Sequence, residues 1–201
     1  MTLATGIDWD AYRAAYDGMT YGEQVAFYSR VWDLHPDQHH YDPAACAAFL
    51  EAVKADRVIE IGGWRGHLAA EMLTQFPKIK RWHNIELCRG AVQATVCEDP
   101  RYTAQVPGNW AWTMIHEPGG VLVAAHVIEH MTAAQVALLL GALHPRAAFV
   151  QSPLTEDGQD WAGYGGSHVL RAGWRDVIAL FAAYGLAHDP TLDAPDVRCF
   201  R

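Results

Sequence analysis

The sequence predicts an α/β sandwich, in which a mostly parallel sheet carries helices on both faces. Three observations lead there. From residue 57 onward, short apolar runs alternate with segments of helical periodicity. The runs are continuously apolar instead of alternating with polar residues, as strands are when neither face meets water. The first run hands over to a helix through the glycine-rich loop "IGGWRG", a common junction in such sheets.

The elements follow in order. "DWDAYRAAYDG", "YGEQVAFYSRVW" and "DPAACAAFLEAVKA" place apolar residues at helical spacing, separated by Gly18 and the loop "HPDQHHYDP". Residues 1–56 are therefore expected to be two or three helices forming a cap, with the main domain over 57–201. In that domain "RVIEIG", "KRWHNIE", "YTAQV", "GGVLVAA" and "AAFVQSP" are the strand candidates. Between them "HLAAEMLTQF", "GAVQATVC", "TAAQVALLLGAL" and "GWRDVIALFAAYG" carry helical spacing. The tail "DVRCFR" reads as a last edge strand, since Pro190 and Pro195 end what precedes it. There is no internal repeat and no low-complexity segment.

Composition excludes several classes. With 201 residues, 51% hydrophobic and 19% charged, the chain can bury one substantial core. No apolar run approaches the roughly 20 residues of a membrane span. The start "MTLATGIDWDAYRAAY" lacks the basic and apolar regions of a secretory signal. A cytoplasmic, soluble protein without a membrane partner is expected. Cys46, Cys88, Cys97 and Cys199 form no C-x-x-C pair, and scattered cysteines in a reducing compartment behave as small core hydrophobes. A net charge of -8 disfavours nucleic acid as a partner, because the field that draws proteins onto a phosphate backbone is basic.

The glycine loop is the most informative stretch. Glu60, Gly62, Gly63 and Gly66 fall where the first strand gives way to a helix beginning near His67. Glycine permits close backbone approach there, and the helix start offers unpaired N–H groups to a ligand. A Walker-type phosphate loop would need Lys and a hydroxyl after the last glycine, but His67 and Leu68 follow. A G-x-G-x-x-G fingerprint fails as well, because Trp64 stands two positions after Gly62. The next strand ends at Glu86, where a carboxylate can take both hydroxyls of a ribose. Loop and acid together point to a ligand that contains a nucleoside.

The succession "VIEIGGWRGHLA", "WHNIE", "VPGNWAW", "GGVLVAAHVIEHM" and "HPRAAFVQSP" resembles the class I S-adenosylmethionine-dependent methyltransferases, over residues 57 to about 185. The resemblance implies a Rossmann-like three-layer sandwich with a mostly parallel seven-stranded sheet, and S-adenosylmethionine as cofactor. In the glycine loop Glu60, Gly62 and Gly66 match the family pattern while Trp64 replaces its middle glycine, a freedom Gly63 could supply instead. By the same resemblance Glu86 holds the ribose, and Asn109 with Trp110 sits beside the adenine.

"HVIEH", residues 126–130, also spells the His-x-x-Glu-His of a zinc protease. That motif needs both histidines on one helix, whereas His126 is expected at a strand end, with Thr132 as N-cap and Gln135 in the capping-box position of the following helix. The run is similar instead to metal-dependent methyltransferases acting on small RNA or in the ubiquinone pathway. The resemblance implies Glu129, His130 and His168 as ligands of a divalent metal, with His126 where a Glu would stand. An imidazole in place of a carboxylate shifts such a site from Mg²⁺ towards Zn²⁺, Mn²⁺ or iron.

Methyl transfer asks mainly for in-line positioning in a dry cleft, with a base where the acceptor must lose a proton. His126 is the first candidate base, since an imidazole can take up a proton near neutrality. His168 is the second, and Glu129 belongs to the same catalytic set. The leading expectation is an enzyme that methylates an O or N atom of a small molecule. The alternatives are a metal-assisted RNA 2'-O-methyltransferase, a non-catalytic module that holds the cofactor, and, more distantly, a nicotinamide-dependent oxidoreductase. Nothing names the acceptor, and the oligomeric state stays open, a homodimer included. The aromatic residues Trp9, Phe27 and Trp32 read first as packing for the cap, His39 and His40 as solvated, and "TEDGQDWAGYGGSH" as a loop that can close over substrate.

Overall fold

A computed structural model describes residues 15, 18–34, 41–107, 119–156, 170 and 172–201, the last four of 18–34 by backbone alone. Its elements are α1 (Tyr21–Leu34), α2 (Pro43–Ala52), β1 (Arg57–Ile61), α3 (His67–Gln75), β2 (Arg81–Ile85), α4 (Arg89–Gln93), β3 (Tyr102–Gln105), β4 (Val121–Ala125), α5 (Ala133–Leu143), β5 (Ala147–Gln151), α6 (Trp174–Ala183) and β6 (Val197–Phe200), with single 3-10 turns at Ile128–His130 and Pro190–Leu192. The strands lie in the order β3-β2-β1-β4-β5-β6. All neighbours are parallel except β6, which runs antiparallel to β5. Most of the helix expected over "DWDAYRAAYDG" lies outside the described residues.

Apolar residues fill both faces of the sheet, with the period of two that a strand imposes. Val58, Val121, Val123, Ala147 and Phe149 face one layer with Phe49 and Leu50 of α2 and Leu68, Met72 and Leu73 of α3. Ile59, Ile61, Leu122, Ala124, Ala148 and Val150 face the other, with Val136, Leu139 and Leu140 of α5 and Trp174, Val177 and Phe181 of α6. The continuous apolar runs are thus two half-patterns interleaved. α2 starts where Asp42 accepts the N–H of Ala45 at 2.9 Å and Pro43 occupies the first turn, so its entry is fixed by a cap and a preset φ.

The described residues contain six strands, not seven. Residues 187–189 run beside β6 through Ala187 N to Arg201 O at 2.9 Å, Arg201 N to Ala187 O at 2.9 Å and Asp189 N to Cys199 O at 2.8 Å, yet register only as an isolated bridge between His188 and Phe200. The reason is local. Asp189 turns out of the pairing to cap the Pro190–Leu192 turn, and Pro190 has no N–H with which to extend a ladder.

Phe149 is fully buried with its ring centroid 5.9 Å from that of Phe49, so it joins the sheet to α2. Phe149→Ala is expected to lower the free energy of unfolding by about 3–5 kcal/mol in urea denaturation. Leu138→Ala, at a side chain 60% exposed, should change it by no more than about 0.5 kcal/mol.

Candidate functional site

The strand order reverses direction between β1 and β4. β1 connects to β2 on one side and β4 to β5 on the other, so the loops leaving their carboxyl ends part and open a crevice, the place where open α/β sheets take ligands. At its floor the two loops touch. Gly62 has φ 69°, and a Cβ there would stand 2.7 Å from Cγ2 of Val127, so only glycine admits this contact. On each side of it a bulky residue adopts a left-handed backbone: Trp64, φ 49°, after β1, and His126, φ 53°, after β4. Such conformations are rare outside glycine, and they cluster at functional sites.

On the glycine side, Gly66 is the N-cap of α3. Glu86 follows the last residue of β2 and is 5% exposed. Its Oε2 accepts the N–H of Trp64 at 3.0 Å and its Oε1 that of Cys88 at 2.8 Å. Burial raises its pKa, opposed by the N–H groups of Cys88, Trp64 and Leu87. Each carboxylate oxygen has a second lone pair, so a pair of ligand hydroxyls can still be accepted. Glu60 lies deeper. It is 2% exposed, accepts Nε1–H of Trp82 at 2.7 Å, and sits directly beneath Gly63. Burial pushes its carboxyl up to about 7, against the Trp82 hydrogen bond and with help from the Glu86 charge.

On the other side, the N–H of His126 donates to the carbonyl of Gln151 at 2.7 Å. Its Nδ1 faces Oε1 of Glu129 at 3.4 Å. Glu129 is 1% exposed, and its Oε2 accepts the hydroxyl of Ser152 at 2.9 Å. Leu170 N donates to the carbonyl of Glu129 at 3.1 Å. The "HVIEH" run is a strand end followed by a 3-10 turn, and Thr132 with Gln135 forms the capping box of α5. The two histidines do not share a helix, which removes the zinc-protease geometry.

His168, the fourth expected metal ligand, lies outside the described residues, so the set is described only in part. Among the described residues, no group of three or more His, Cys, Asp or Glu side chains could hold a metal ion. The oxygens of Glu129 are turned to His126 and Ser152, and the ring of His130 packs edge-on to Tyr28 at 6.1 Å. Asn109, Trp110 and His168 lie outside the described residues, as do Trp9, His39, His40 and the side chain of Trp32.

α1 reaches both sides of the crevice. The hydroxyl of Tyr21 donates to the carbonyl of Pro107, beyond β3, while Tyr28 meets His130, beyond β4. Gln24 sits between these tyrosines at spacings of three and four, on the same helix face. It is 3% exposed, and its Oε1 has no hydrogen-bond partner among the described residues. Sequence reasoning missed Gln24, Ser152 and Asn84, the last being a fully buried amide bonded to the glycine loop. An Asn inside the apolar run "RWHNIE" was the one available signal.

Compared by sequence, the chain matches no family profile and no curated protein. Compared by structure, it is similar to solved methyltransferases. The methyltransferase domain of bacterial CtHen1 has a TM-score of 0.59 at 15% identity, covering 79% of this chain and 96% of that one. An O-methyltransferase family protein from Burkholderia thailandensis has a TM-score of 0.63 at 12% identity, covering 90% of this chain and 61% of that one. Human N-acetylserotonin methyltransferase, solved in complex with S-adenosylmethionine, has a TM-score of 0.58 at 14% identity, covering 94% of this chain and 58% of that one. At such identities the likeness carries the fold alone: this chain shares the fold of these methyltransferases.

The raised carboxyl of Glu60 makes stability depend on pH. Folded, the group keeps its proton up to about 7, whereas the unfolded chain releases it near 4.5. Stability therefore falls as pH rises from about 4.5 to 7 and levels off above, by on the order of 3 kcal/mol for this one group. Glu60→Gln keeps the acceptor for Trp82 and removes the titration. The unfolding free energy of the wild type should drop relative to the variant across that window; parallel curves would refute the assignment.

Proposed function

We propose that this protein is an S-adenosylmethionine-dependent methyltransferase that transfers the methyl group in line to an O or N atom of a small molecule. The observation that carries the proposal is the pairing across one crevice of a nucleoside-suited carboxylate, Glu86, with an oriented imidazole, His126. When bound, the cofactor supplies a methyl group already activated on a sulfonium. Glu86 accepts the ribose hydroxyls, and the loop of Gly62, Gly63 and Gly66 brings the start of α3 to the same ligand. Asn109 and Trp110 complete the adenine side. Of residues 1–56, α1 serves as the cap and excludes water.

His126 acts on the acceptor. With Nδ1 turned to Glu129, that nitrogen carries the ring proton and Nε2 is the nitrogen that accepts one. As the methyl forms its bond to the acceptor oxygen or nitrogen, the acceptor proton passes to Nε2, and the buried carboxylate of Glu129 balances the charge on the ring. The orphaned Oε1 of Gln24 supports an acceptor bearing a hydrogen-bond donor, because a buried carbonyl without a partner is unfavourable by about 1–3 kcal/mol until one arrives. The acidic balance of the chain favours a small acceptor over a polyanion.

Calorimetric titration with S-adenosylhomocysteine should show binding, and titration with NADH none; the reverse would sink the proposal. His126→Asn suits the left-handed backbone and should keep S-adenosylhomocysteine affinity within about threefold. Over a panel of small hydroxyl and amine acceptors it should lower methyl transfer by about 100-fold or more. Binding without turnover on any acceptor would favour a module that only holds the cofactor.

A further inference from the structure

The glycine loop has a bulky residue where it needs a left-handed backbone. Trp64 is held in that conformation by three hydrogen bonds, all from the end of β2. Its own N–H donates to Glu86 Oε2 at 3.0 Å, the preceding N–H, of Gly63, donates to Asn84 Oδ1 at 3.0 Å, and its carbonyl accepts Nδ2–H of Asn84 at 3.3 Å. Asn84 is fully buried, and its Nδ2 also donates to the hydroxyl of Tyr102 on β3 at 3.0 Å. The amide thus grips both peptide groups around the bond between Gly63 and Trp64. It can reach them because residue 63 is glycine: a Cβ there would stand 2.8 Å from Asn84 Oδ1 and 2.4 Å from the Glu60 carboxyl.

We infer that Asn84 is a positioning residue that presets the glycine loop for cofactor binding, and that it is what allows Trp64 to occupy a position requiring positive φ. The inference rests on the cofactor reading above. Without the amide, Trp64 relaxes towards negative φ, its N–H turns away from Glu86, and the carboxylate loses the partner that aims it along the loop. Glycine at position 64 would have no such preference, so the need for Asn84 exists because of Trp64. A buried asparagine that merely stabilised the fold would show no such dependence.

The test is a double-mutant cycle read by S-adenosylhomocysteine affinity, with amide exchange of the ligand-free protein as a second readout. Asn84→Ala should weaken binding about tenfold and speed exchange at the Gly63 and Trp64 N–H groups, while the amides of β1 and β4 stay protected. Trp64→Gly alone should bind within about threefold of wild type, and Trp64→Gly with Asn84→Ala should recover most of the loss. Should Asn84→Ala fail to fold, Tyr102→Phe removes one of the amide's partners without removing the amide, and should weaken binding in the same direction by about threefold. Wild-type affinity in Asn84→Ala, or a double variant no better than Asn84→Ala, overturns the inference and leaves the cofactor reading standing. No binding by the wild type overturns both.

Discussion

The contact between Gly62 and Val127 is the constraint on which the site depends. β1 and β4 are neighbours whose connections leave in opposite directions, so their carboxyl ends must diverge, and some pair of residues has to close the floor where they part. A glycine against a β-branched side chain does so with no room for a single further carbon. What sits on either side of that floor is then fixed by backbone geometry: Trp64 and Glu86 to one side, His126 and Glu129 to the other. The two left-handed residues, Trp64 and His126, are the local price of holding the lips apart, and each is held by hydrogen bonds to a neighbouring strand end.

Beneath the glycine loop the sheet stops being apolar. Trp82, Asn84 and Glu86 alternate along one face of β2 and its end, beside Glu60 on β1, and all are buried. Burying two carboxyl groups so near each other is unfavourable unless their oxygens are occupied. Trp82 occupies Glu60; the loop and Cys88 occupy Glu86. The same bonds that make the acids tolerable also give the loop its shape, so folding and ligand readiness share one network. Opposite them, Glu129 is treated likewise, with Ser152 on one oxygen and His126 facing the other.

Much of this was legible in the sequence, for physical reasons that also mark the limit. β1, β4 and β5 announce themselves because both their faces are buried, which turns alternation into continuous apolar runs. The capping box of Thr132 and Gln135 is local chemistry, and together with the strand end at His126 it moved "HVIEH" off a helix. Among the described residues no seventh strand forms, because Asp189 and Pro190 turn the chain at the point where the pairing would grow. Letters in a row do not say which way side chains point: Glu129 turns to Ser152, a partner 23 residues away. Asn84 and Gln24 escaped notice since a lone polar residue in an apolar segment acquires meaning only from what surrounds it in space.

The most direct test of the site is a crystal structure of the protein grown with S-adenosylhomocysteine. The ribose hydroxyls should lie within hydrogen-bond distance of the Glu86 carboxylate, and the sulfur should face His126 across the floor formed by Gly62 and Val127. A ligand bound elsewhere on the molecule, with that crevice left empty, would contradict the assignment.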